Sequence, residues 1–137
     1  MHSKLKGNIA ETAVTLELQK NGYNVFTEIG DYSRIDLICE KDNKLLKIQV
    51  KYSANKGKMI LHLKKSGPNG YKYTYNEDDV DWFAIYSPYY DVIAWVSSEE
   101  ACKNKNAFTI RFTSTNNKQA VNIRFIADYT IEKFKSY

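Results

Sequence analysis

The stretch RIDLICEKDNKLLKIQVKYS, residues 34–53, reads as two β-strands joined by a tight turn. Branched apolar residues dominate both halves, which is typical of strands. The central KDNK, residues 41–44, is a hairpin turn signal. The segment therefore predicts an antiparallel hairpin centred on Asp42 and Asn43.

The second strand of this hairpin carries polar residues at positions where a core strand would be apolar. Lys47, Gln49 and Lys51 alternate with apolar residues in LLKIQVKYS, residues 45–53. A buried polar group without a partner costs about 1–3 kcal/mol, and a lone charge costs more. This face of the strand is therefore expected to meet either solvent or something that uses the polar groups.

A tight central turn also fixes which residues lie opposite each other. In that register Asp36 lies opposite Gln49, and Arg34 lies opposite Lys51. Opposed side chains point to the same face of a hairpin, so Asp36, Gln49 and Lys51 are predicted to cluster on one side. The other side is the predicted core, made of Ile35, Leu37, Cys39, Leu46, Ile48, Val50 and Tyr52.

A carboxylate beside a lysine admits two interpretations. One is a cross-strand ion pair at the surface, which contributes about 0–1 kcal/mol. The other is a metal site, because an Asp carboxylate and a main-chain carbonyl suit a hard cation such as Mg²⁺. A nearby lysine could then position a water or hold a phosphate oxygen. The spacing of Asp36 and Lys51 leaves both interpretations open.

Outside the hairpin, helical and strand patterns alternate along the chain. Helical spacing predicts a first helix over residues 4–21, with an apolar stripe of Leu5, Ile9, Ala13 and Leu16. Strand patterns follow at 23–29, 34–40, 45–53, 58–64, 81–87, 91–97, 107–113 and 120–126, and residues 71–75 form either a strand or an extended loop. A short helix is predicted from Ser97 or Ser98, and a terminal helix over 128–137. This order predicts one α/β domain spanning residues 1–137, with a mixed β-sheet covered by helices.

The charge distribution indicates an anionic partner for one surface. The net charge is only +4, but residues 41–75 hold nine lysines and one acidic residue, Asp42. A basic surface of this kind favours nucleic acid, although a solvated lysine-rich face that keeps the protein soluble has the same composition. Tyr71, Tyr73 and Tyr75 alternate in this region, either as one face packed on the core or, interleaved with lysine, as a surface along DNA.

Cysteine and hydropathy patterns narrow the cellular context. The two cysteines have no CxxC spacing, and two histidines are too few for a zinc pattern. The segment MHSKLKGNIAETA, residues 1–13, is too polar for a secretory signal, and no apolar run approaches the roughly 20 residues that cross a bilayer. These features predict a cytoplasmic protein that does not associate with membranes.

Three short motifs in order resemble the PD-(D/E)XK nucleases. They are KGNIAE (6–11), RIDLI (34–38) and KIQVK (47–51), which correspond to a helix bearing Glu, a strand bearing Asp, and a strand bearing Asp/Glu-x-Lys. With glutamine in its third motif, the chain resembles a QVK subgroup of these nucleases, which includes intron-encoded homing endonucleases. The resemblance implies a restriction-endonuclease-like fold, in which a mixed β-sheet is flanked by helices.

The resemblance also implies a divalent-metal DNA endonuclease and a role for each matched residue. The implied catalytic residues are Glu11, Asp36, Gln49 and Lys51. Asp36 would be the central metal ligand, Glu11 would bind the metal directly or through water, and the backbone carbonyl of Val50 would complete the protein ligands. Lys51 would act at the attacking water or the scissile phosphate, and the implied metal is Mg²⁺, with Mn²⁺ as a substitute.

Two of the implied residues have plainer interpretations. Gln49 replaces the carboxylate that the family usually carries, which removes one negative charge and leaves only an oxygen acceptor for a metal. The site would then be either a working one-metal centre or a centre that has lost cleavage. Glu11, taken alone, reads as a solvated helix residue between polar neighbours.

DNA contacts would come from the basic residues around the motifs. The predicted nucleic-acid-binding residues are Lys6, Arg34, Lys56, Lys58, His62, Lys64, Lys65 and Lys72. Residues 58–64 and 71–75 could form a β-ribbon in the major groove of double-stranded DNA. One site cuts one strand, so cutting both strands predicts a homodimer or a homotetramer.

Four functions remain open from the sequence. The first is a site-specific, metal-dependent DNA endonuclease of homing or restriction type. The second is a structure-selective nuclease that resembles Holliday-junction resolvases, and the third is a DNA-binding relative that has lost catalysis, for which Gln49 is the main argument. The fourth is a plain α/β domain whose lysines only keep it soluble.

Overall fold

The computed structural model describes residues 1–30, 32–66, 70, 72–104, 106–113 and 123–137, without the side chains of residues 65, 66 and 72. Three α-helices are present in these residues: α1 (Ser3–Lys20), α2 (Ser98–Ala101) and α3 (Ile131–Lys135). A 3₁₀ turn, Ile126–Asp128, precedes α3. The strands are β1 (Asn24–Thr27), β2 (Leu37–Lys41), β3 (Lys44–Tyr52), β4 (Lys58–His62), β5 (Lys64–Ser66), β6 (Lys72–Thr74), β7 (Trp82–Ser87), β8 (Val92–Ser97) and β9 (Ala107–Arg111).

The hairpin of β2 and β3 has the predicted turn. Asp42 and Asn43 have φ angles of 52° and 67°, so both central residues adopt the conformation of a type I′ turn. Strand pairing runs from Lys41 opposite Lys44 to Leu37 opposite Ile48, which is the predicted register. The Asp36 amide continues the ladder by donating to the Ile48 carbonyl at 3.0 Å.

The prediction that the first strand of this hairpin begins at residue 34 is wrong. β2 begins at Leu37, so Arg34 is outside the ladder and does not lie opposite Lys51 in a strand pair. The guanidinium of Arg34 instead lies over the ring of Tyr73, 3.4 Å from its centroid. The predicted core face of the hairpin is correct for the residues within the strands, but Ile35 packs against a different apolar cluster.

The main sheet is mixed, with the strand order β1-β2-β3-β7-β8. β3 and β7 are parallel, and the other neighbours in this sheet are antiparallel. The parallel pair requires a crossover, which is the segment that carries β4, β5 and β6. β4 pairs with β9, and β5 pairs with β6, in two further two-stranded sheets.

Two apolar cores cover the two faces of β7, which explains its uninterrupted apolar sequence. Trp82, Ala84 and Tyr86 belong to the first core, together with buried residues of α1, α3 and β3. Phe83 and Ile85 point to the opposite face and belong to the second core, with buried residues of β4 and β9. All six residues of β7 are buried.

The parallel register places the polar face of β3 beside the second core. Gln49 lies opposite Phe83, and Lys51 lies opposite Ile85. The second core covers Phe83 and Ile85 of β7. The polar side chains of β3 that neighbour them therefore also lie beside this core. The sequence left open whether these polar groups meet solvent. Solvent is excluded for Gln49, because this residue is only 8% exposed.

Helix α1 packs on the sheet through a stripe that differs from the predicted one. Its buried residues are Ala10, Val14 and Leu18, spaced four apart. Leu5 and Leu16, which the helical pattern placed in the core, are about half exposed, at 50% and 51%. The buried stripe lies next to the predicted one, because Ile9 and Ala13 border the first core without entering it fully.

Three other elements differ from the sequence prediction. The predicted strand over 58–64 is divided into β4 and β5 by the buried residue Leu63. The predicted strand over 120–126 lies partly outside the described residues, and its end forms an isolated bridge at Phe125 and the 3₁₀ turn. The terminal helix is shorter than predicted, because α3 begins only at Ile131.

Candidate active site

Asp36 lies just before β2 and is joined to β3 by two hydrogen bonds. Its Oδ2 atom accepts one from the Gln49 side-chain Nε2 at 2.7 Å and another from the Val50 backbone N–H at 2.8 Å. These bonds fix the carboxylate against the strand that carries the third motif. A cleft of about 270 Å³ on the side of β1 and β2 is lined in part by Asp36.

The side-chain oxygen of Gln49 is buried and has no hydrogen-bond partner among the described residues. The hydrogen bond to Asp36 uses the Nε2 end of the amide and so directs Oε1 elsewhere. A buried acceptor left unpaired costs about 1–3 kcal/mol, which is large beside the total stability of a small domain. The other such atom in the described residues, Trp82 Nε1, is only a donor and cannot ligate a cation.

Lys51 is partly buried on the same face of β3 as Gln49. Its ammonium donates to the Tyr75 hydroxyl at 3.2 Å and lies 4.9 Å from the centroid of the Tyr75 ring. Burial lowers the pKa of Lys51, and the nearby negative charge of Asp36 opposes this change. The geometry therefore places an ammonium, a carboxylate and an amide oxygen at one location.

Arg34 and its partners form a second cluster in the chain segment that leads to Asp36. The guanidinium lies 3.4 Å from the centroid of Tyr73, and Nη1 is 3.4 Å from Asp79 Oδ1. Tyr73 donates a short hydrogen bond to the same Asp79 carboxylate. The Arg34 side chain is 48% exposed, so a fixed cation is presented to solvent two residues before Asp36.

The residues of the predicted metal centre are only partly brought together by contacts that the structure records. Asp36, Gln49 and Val50 are joined directly, while Glu11 lies partly buried on α1, which packs on the first-core side of β3. Across the part of the chain that is described, no three His, Cys, Asp or Glu side chains form a group able to hold a metal. The predicted centre has only two such side chains, since an amide and a main-chain carbonyl supply its other oxygens.

The donors that are present fit a hard divalent cation. Carboxylate, amide and carbonyl oxygens are the ligands that Mg²⁺ prefers, and Mg²⁺ needs few of them because it keeps several waters. The buried Oε1 of Gln49 is an oxygen of this kind that lacks a partner within the described chain. A cation would therefore satisfy an atom that the described protein leaves unsatisfied.

The predicted DNA-binding residues lie on several elements. Arg34, Lys56, His62 and Lys64 are exposed, whereas Lys6 and Lys58 are partly buried. Lys65 and Lys72 lie in β5 and β6, which pair as a two-stranded ribbon, and their side chains are outside the described part. Residues 58–62 pair with β9 and not with residues 71–75, so only the pairing of β5 with β6 forms part of the predicted ribbon.

Sequence reasoning missed the partners of the two cations at the site. Tyr75 receives Lys51, and Asp79 receives Arg34, although neither contact has a signal in local spacing. The alternation of tyrosines did predict that one face of this segment could pack on the core, and Tyr75 is only 5% exposed. Tyr71 lies outside the described residues.

Cys39 and Cys102 are both free thiols, and burial raises the pKa of Cys39 to about 11, which makes it unreactive. Among the described residues, no helix has the length and apolar character needed to cross a membrane.

A mixed sheet flanked by helices, with Asp before one strand and Gln-x-Lys on the next, is the fold of restriction-endonuclease-like nucleases. The model of the PD-(D/E)XK endonuclease family matches residues 1–132. The chain therefore belongs to the PD-(D/E)XK endonuclease family, which confirms the resemblance and the predicted fold. Nucleases of this family generally use divalent metal ions.

Solved structures with a similar fold include a homing endonuclease and a Holliday junction resolvase. The bacterial homing endonuclease I-Ssp6803I has a TM-score of 0.79 and 22% identity, over 99% of this chain and 93% of that one. The Holliday junction resolvase Hjc of the archaeal hyperthermophile Archaeoglobus fulgidus has a TM-score of 0.54 and 16% identity, over 77% of this chain and 84% of that one. None of the curated proteins matches the sequence.

Proposed function

We propose that this protein is a metal-dependent, site-specific DNA endonuclease of homing or restriction type that hydrolyses phosphodiester bonds. The observation that carries the proposal is the cluster of Asp36, Gln49 and Lys51, in which the buried Gln49 oxygen has no partner among the described residues. Membership of the endonuclease family and the similarity to a homing endonuclease over 99% of the chain support it.

The metal ligands in this proposal are Asp36, Glu11 and the Val50 carbonyl, with Gln49 adding its amide oxygen. A bound Mg²⁺ or Mn²⁺ would polarise the scissile phosphate and acidify a bound water. The chain itself orients the carboxylate, since Gln49 and Val50 both donate to Asp36 Oδ2. Because the amide is neutral, the site has one negative charge fewer than a site with a carboxylate at that position.

Lys51 has the second chemical role in the proposal. Its ammonium is placed by Tyr75 on the face that holds Asp36 and Gln49. A cation in that position holds a phosphate oxygen or the attacking water and stabilises negative charge that develops on the phosphate. Arg34, the exposed cation two residues before Asp36, would bind a neighbouring phosphate and so position the strand.

The test is a cleavage assay in Mg²⁺ or Mn²⁺ on supercoiled plasmid, complex genomic DNA and a labelled four-way junction. Asp36→Asn and Lys51→Ala are compared with the wild type, with Asp42→Asn and Lys44→Ala as matched substitutions at the β2–β3 turn. The proposal expects discrete cuts that disappear in EDTA and in both site variants but persist in both turn variants. Cleavage that survives Asp36→Asn, or its complete absence on a random-site library, would contradict the proposal.

A structure-selective nuclease is the second candidate, because a Holliday junction resolvase shares the fold at a TM-score of 0.54. The same assay separates the two candidates. Cleavage of the four-way junction without cleavage of linear duplex favours the resolvase-like function. Salt-sensitive DNA binding without cleavage of any substrate would instead indicate the catalytically inactive relative.

The proposed substrate is double-stranded DNA, and the proposed assembly is a homodimer or a homotetramer. Two sites related by a twofold axis are the simplest way to cut both strands of a duplex. Sedimentation with and without a DNA duplex tests the assembly. A strict monomer under both conditions would contradict this part of the proposal without affecting the assignment of the catalytic residues.

A further inference from the structure

We propose that Tyr75 is a positioning residue that holds the Lys51 ammonium at the cleavage site. The inference rests on the proposed function, since it assigns Lys51 a partner within that site. Two contacts join the residues: the hydrogen bond from Nζ to the Tyr75 hydroxyl at 3.2 Å, and the placement of Nζ 4.9 Å from the ring centroid. One tyrosine therefore binds the ammonium through its hydroxyl oxygen, with the ring alongside.

Tyr75 is itself fixed on several sides. Its ring meets Phe83 edge-on at 5.5 Å and Tyr73 edge-on at 5.3 Å between centroids. Its backbone N–H donates to the Leu63 carbonyl at 2.9 Å, and the side chain is only 5% exposed. These contacts fix the position of the hydroxyl relative to the second core. The hydroxyl in turn fixes the position of the Lys51 ammonium that is bonded to it.

Lys51 needs such a partner because its side chain is long and flexible. A lysine stem loses rotamer entropy when one conformation is fixed. β3 fixes only the base of that stem, opposite Ile85. Asp36 attracts the charge from the hairpin side, and Tyr75 binds it from the crossover segment, so two separate parts of the chain determine where the ammonium lies.

This role differs from that of an ordinary buried tyrosine, and the chain contains a matched example. Tyr129 is 7% exposed, and its hydroxyl donates to Glu100 at 2.6 Å. Lys133 lies 4.2 Å from the Tyr129 ring centroid, so this tyrosine also has a lysine neighbour. Tyr129→Phe thus removes a comparable hydroxyl and hydrogen bond from a structural contact.

The experiment measures single-turnover cleavage at increasing enzyme concentration for wild type, Tyr75→Phe and Tyr129→Phe. Phenylalanine keeps the ring packing and removes the hydroxyl that binds Lys51. The expected result for Tyr75→Phe is a fall of about tenfold in the rate at saturation with an unchanged half-saturating concentration, because misplacement of a reacting group affects the chemical step. Tyr129→Phe is expected to keep the wild-type rate.

A second readout is independent of cleavage. The free energy of unfolding is measured for Tyr75→Phe, Lys51→Met and the double variant without added metal. The proposal expects non-additive changes, because removing either partner abolishes the same contact. As a stability control, Tyr129→Phe combined with Lys51→Met is expected to be additive.

The outcomes separate this inference from the proposed function. Wild-type cleavage that requires Asp36, together with an unchanged saturating rate for Tyr75→Phe, overturns the positioning role alone. Equal rate losses in Tyr75→Phe and Tyr129→Phe, or additive stability changes for Tyr75 and Lys51, also overturn it. A wild type that cuts no DNA overturns both proposals, since Lys51 then has no reaction to serve.

Discussion

Polar side chains on the two faces of the main sheet differ in how fully their hydrogen-bonding atoms are paired. On the helix-covered face, which we call the complete face, Trp95 Nε1 donates to Glu17 Oε2 at 3.0 Å, so donor and acceptor satisfy each other. On the opposite face, which we call the open face because its polar contact is incomplete, Gln49 donates to Asp36 but leaves its own oxygen without a partner among the described residues. The first contact stabilises the fold, and the unpaired Gln49 oxygen is the atom that our proposal assigns to a cation.

The largest expected effect comes from removing the charge on the open face with Lys51→Met. Methionine retains the apolar stem but has no ammonium, so cleavage is expected to fall at least about 100-fold. The unfolding midpoint is expected to stay the same or rise, because burial no longer desolvates a charge, as the lowered pKa of Lys51 indicates. Cleavage assays and thermal unfolding measure the two effects.

Lys44→Met is the control for this change, since Lys44 is an exposed lysine at the other end of β3, 4.1 Å from the Tyr137 ring centroid. It is expected to leave cleavage close to wild type. An active Lys51→Met variant would show that the open face does not depend on its cation.

Gln49→Glu is expected to destabilise the metal-free protein by about 1–3 kcal/mol, because it replaces the donor to Asp36 with a second carboxylate. Added Mg²⁺ should restore more stability to this variant than to wild type, since the site then has one more negative charge. Chemical unfolding with and without Mg²⁺ measures both changes. Gln19→Glu, on the exposed surface of α1, provides the control for a change of net charge.

If Mg²⁺ stabilises Gln49→Glu and Gln19→Glu equally, the cation does not bind at the open face. A selective effect on Gln49→Glu would instead place the cation beside Asp36. This measurement requires no DNA and therefore does not depend on knowing the target sequence.

Arg34→Ala tests whether the open face extends to the exposed cation held by Tyr73 and Asp79. DNA affinity is expected to fall severalfold, and the slope of log affinity against log salt should decrease by about 1, as for the loss of one phosphate contact. Fluorescence anisotropy in EDTA at several salt concentrations measures the slope. Lys135→Ala, an exposed residue of α3 paired with Glu132, should leave it unchanged, and an unchanged slope for Arg34→Ala would argue against this contact.

The smallest expected effect lies on the complete face. Burial raises the pKa of Glu17, although the hydrogen bond from Trp95 partly opposes this. A carboxyl group with a raised pKa in the folded state destabilises that state above this pKa, and the cost disappears as the pH falls towards the unfolded value. Glu17→Gln keeps an acceptor and removes the charge, so it should raise the free energy of unfolding at pH 7 by less than about 1 kcal/mol.

The stability gain of Glu17→Gln should shrink as the pH falls through the raised pKa of Glu17 towards the unfolded value of about 4.3. Urea unfolding at several pH values follows this change. If Glu17→Gln lowers the stability at pH 7, the Trp95 indole binds the charged carboxylate more strongly than it binds a neutral acceptor. The contact would then be a charge-assisted hydrogen bond.

Local sequence signals were sufficient to predict the hairpin and the cluster on it. Asp42 and Asn43 define the turn, the turn defines the register, and the register brings Asp36 to Gln49. Each step depends on neighbouring residues or on a short loop, for which the physical rules are strong. The second and third family motifs are placed by the same local geometry, whereas the first lies on α1.

Contacts that depend on packing between layers could not be predicted in this way. Tyr75 meets Lys51 only because the second core lies against β7, and Leu63 divides β4 from β5 because it is buried in that core. The buried stripe of α1 was displaced for a similar reason, since Ala10 rather than Leu5 faces the sheet. Such choices follow from the fit of whole surfaces and leave little trace in spacing along one segment.

The parallel pairing of β3 with β7 has a consequence for how the enzyme matures. Thirty positions separate Tyr52, the last residue of β3, from Trp82, the first of β7, so this pair closes a long loop and forms slowly compared with the β2–β3 hairpin. Tyr75 lies within that loop. The hairpin can therefore bring Asp36 to Gln49 early, but Lys51 is fixed only when the crossover docks, and nuclease activity is expected to arise as one of the last events of folding.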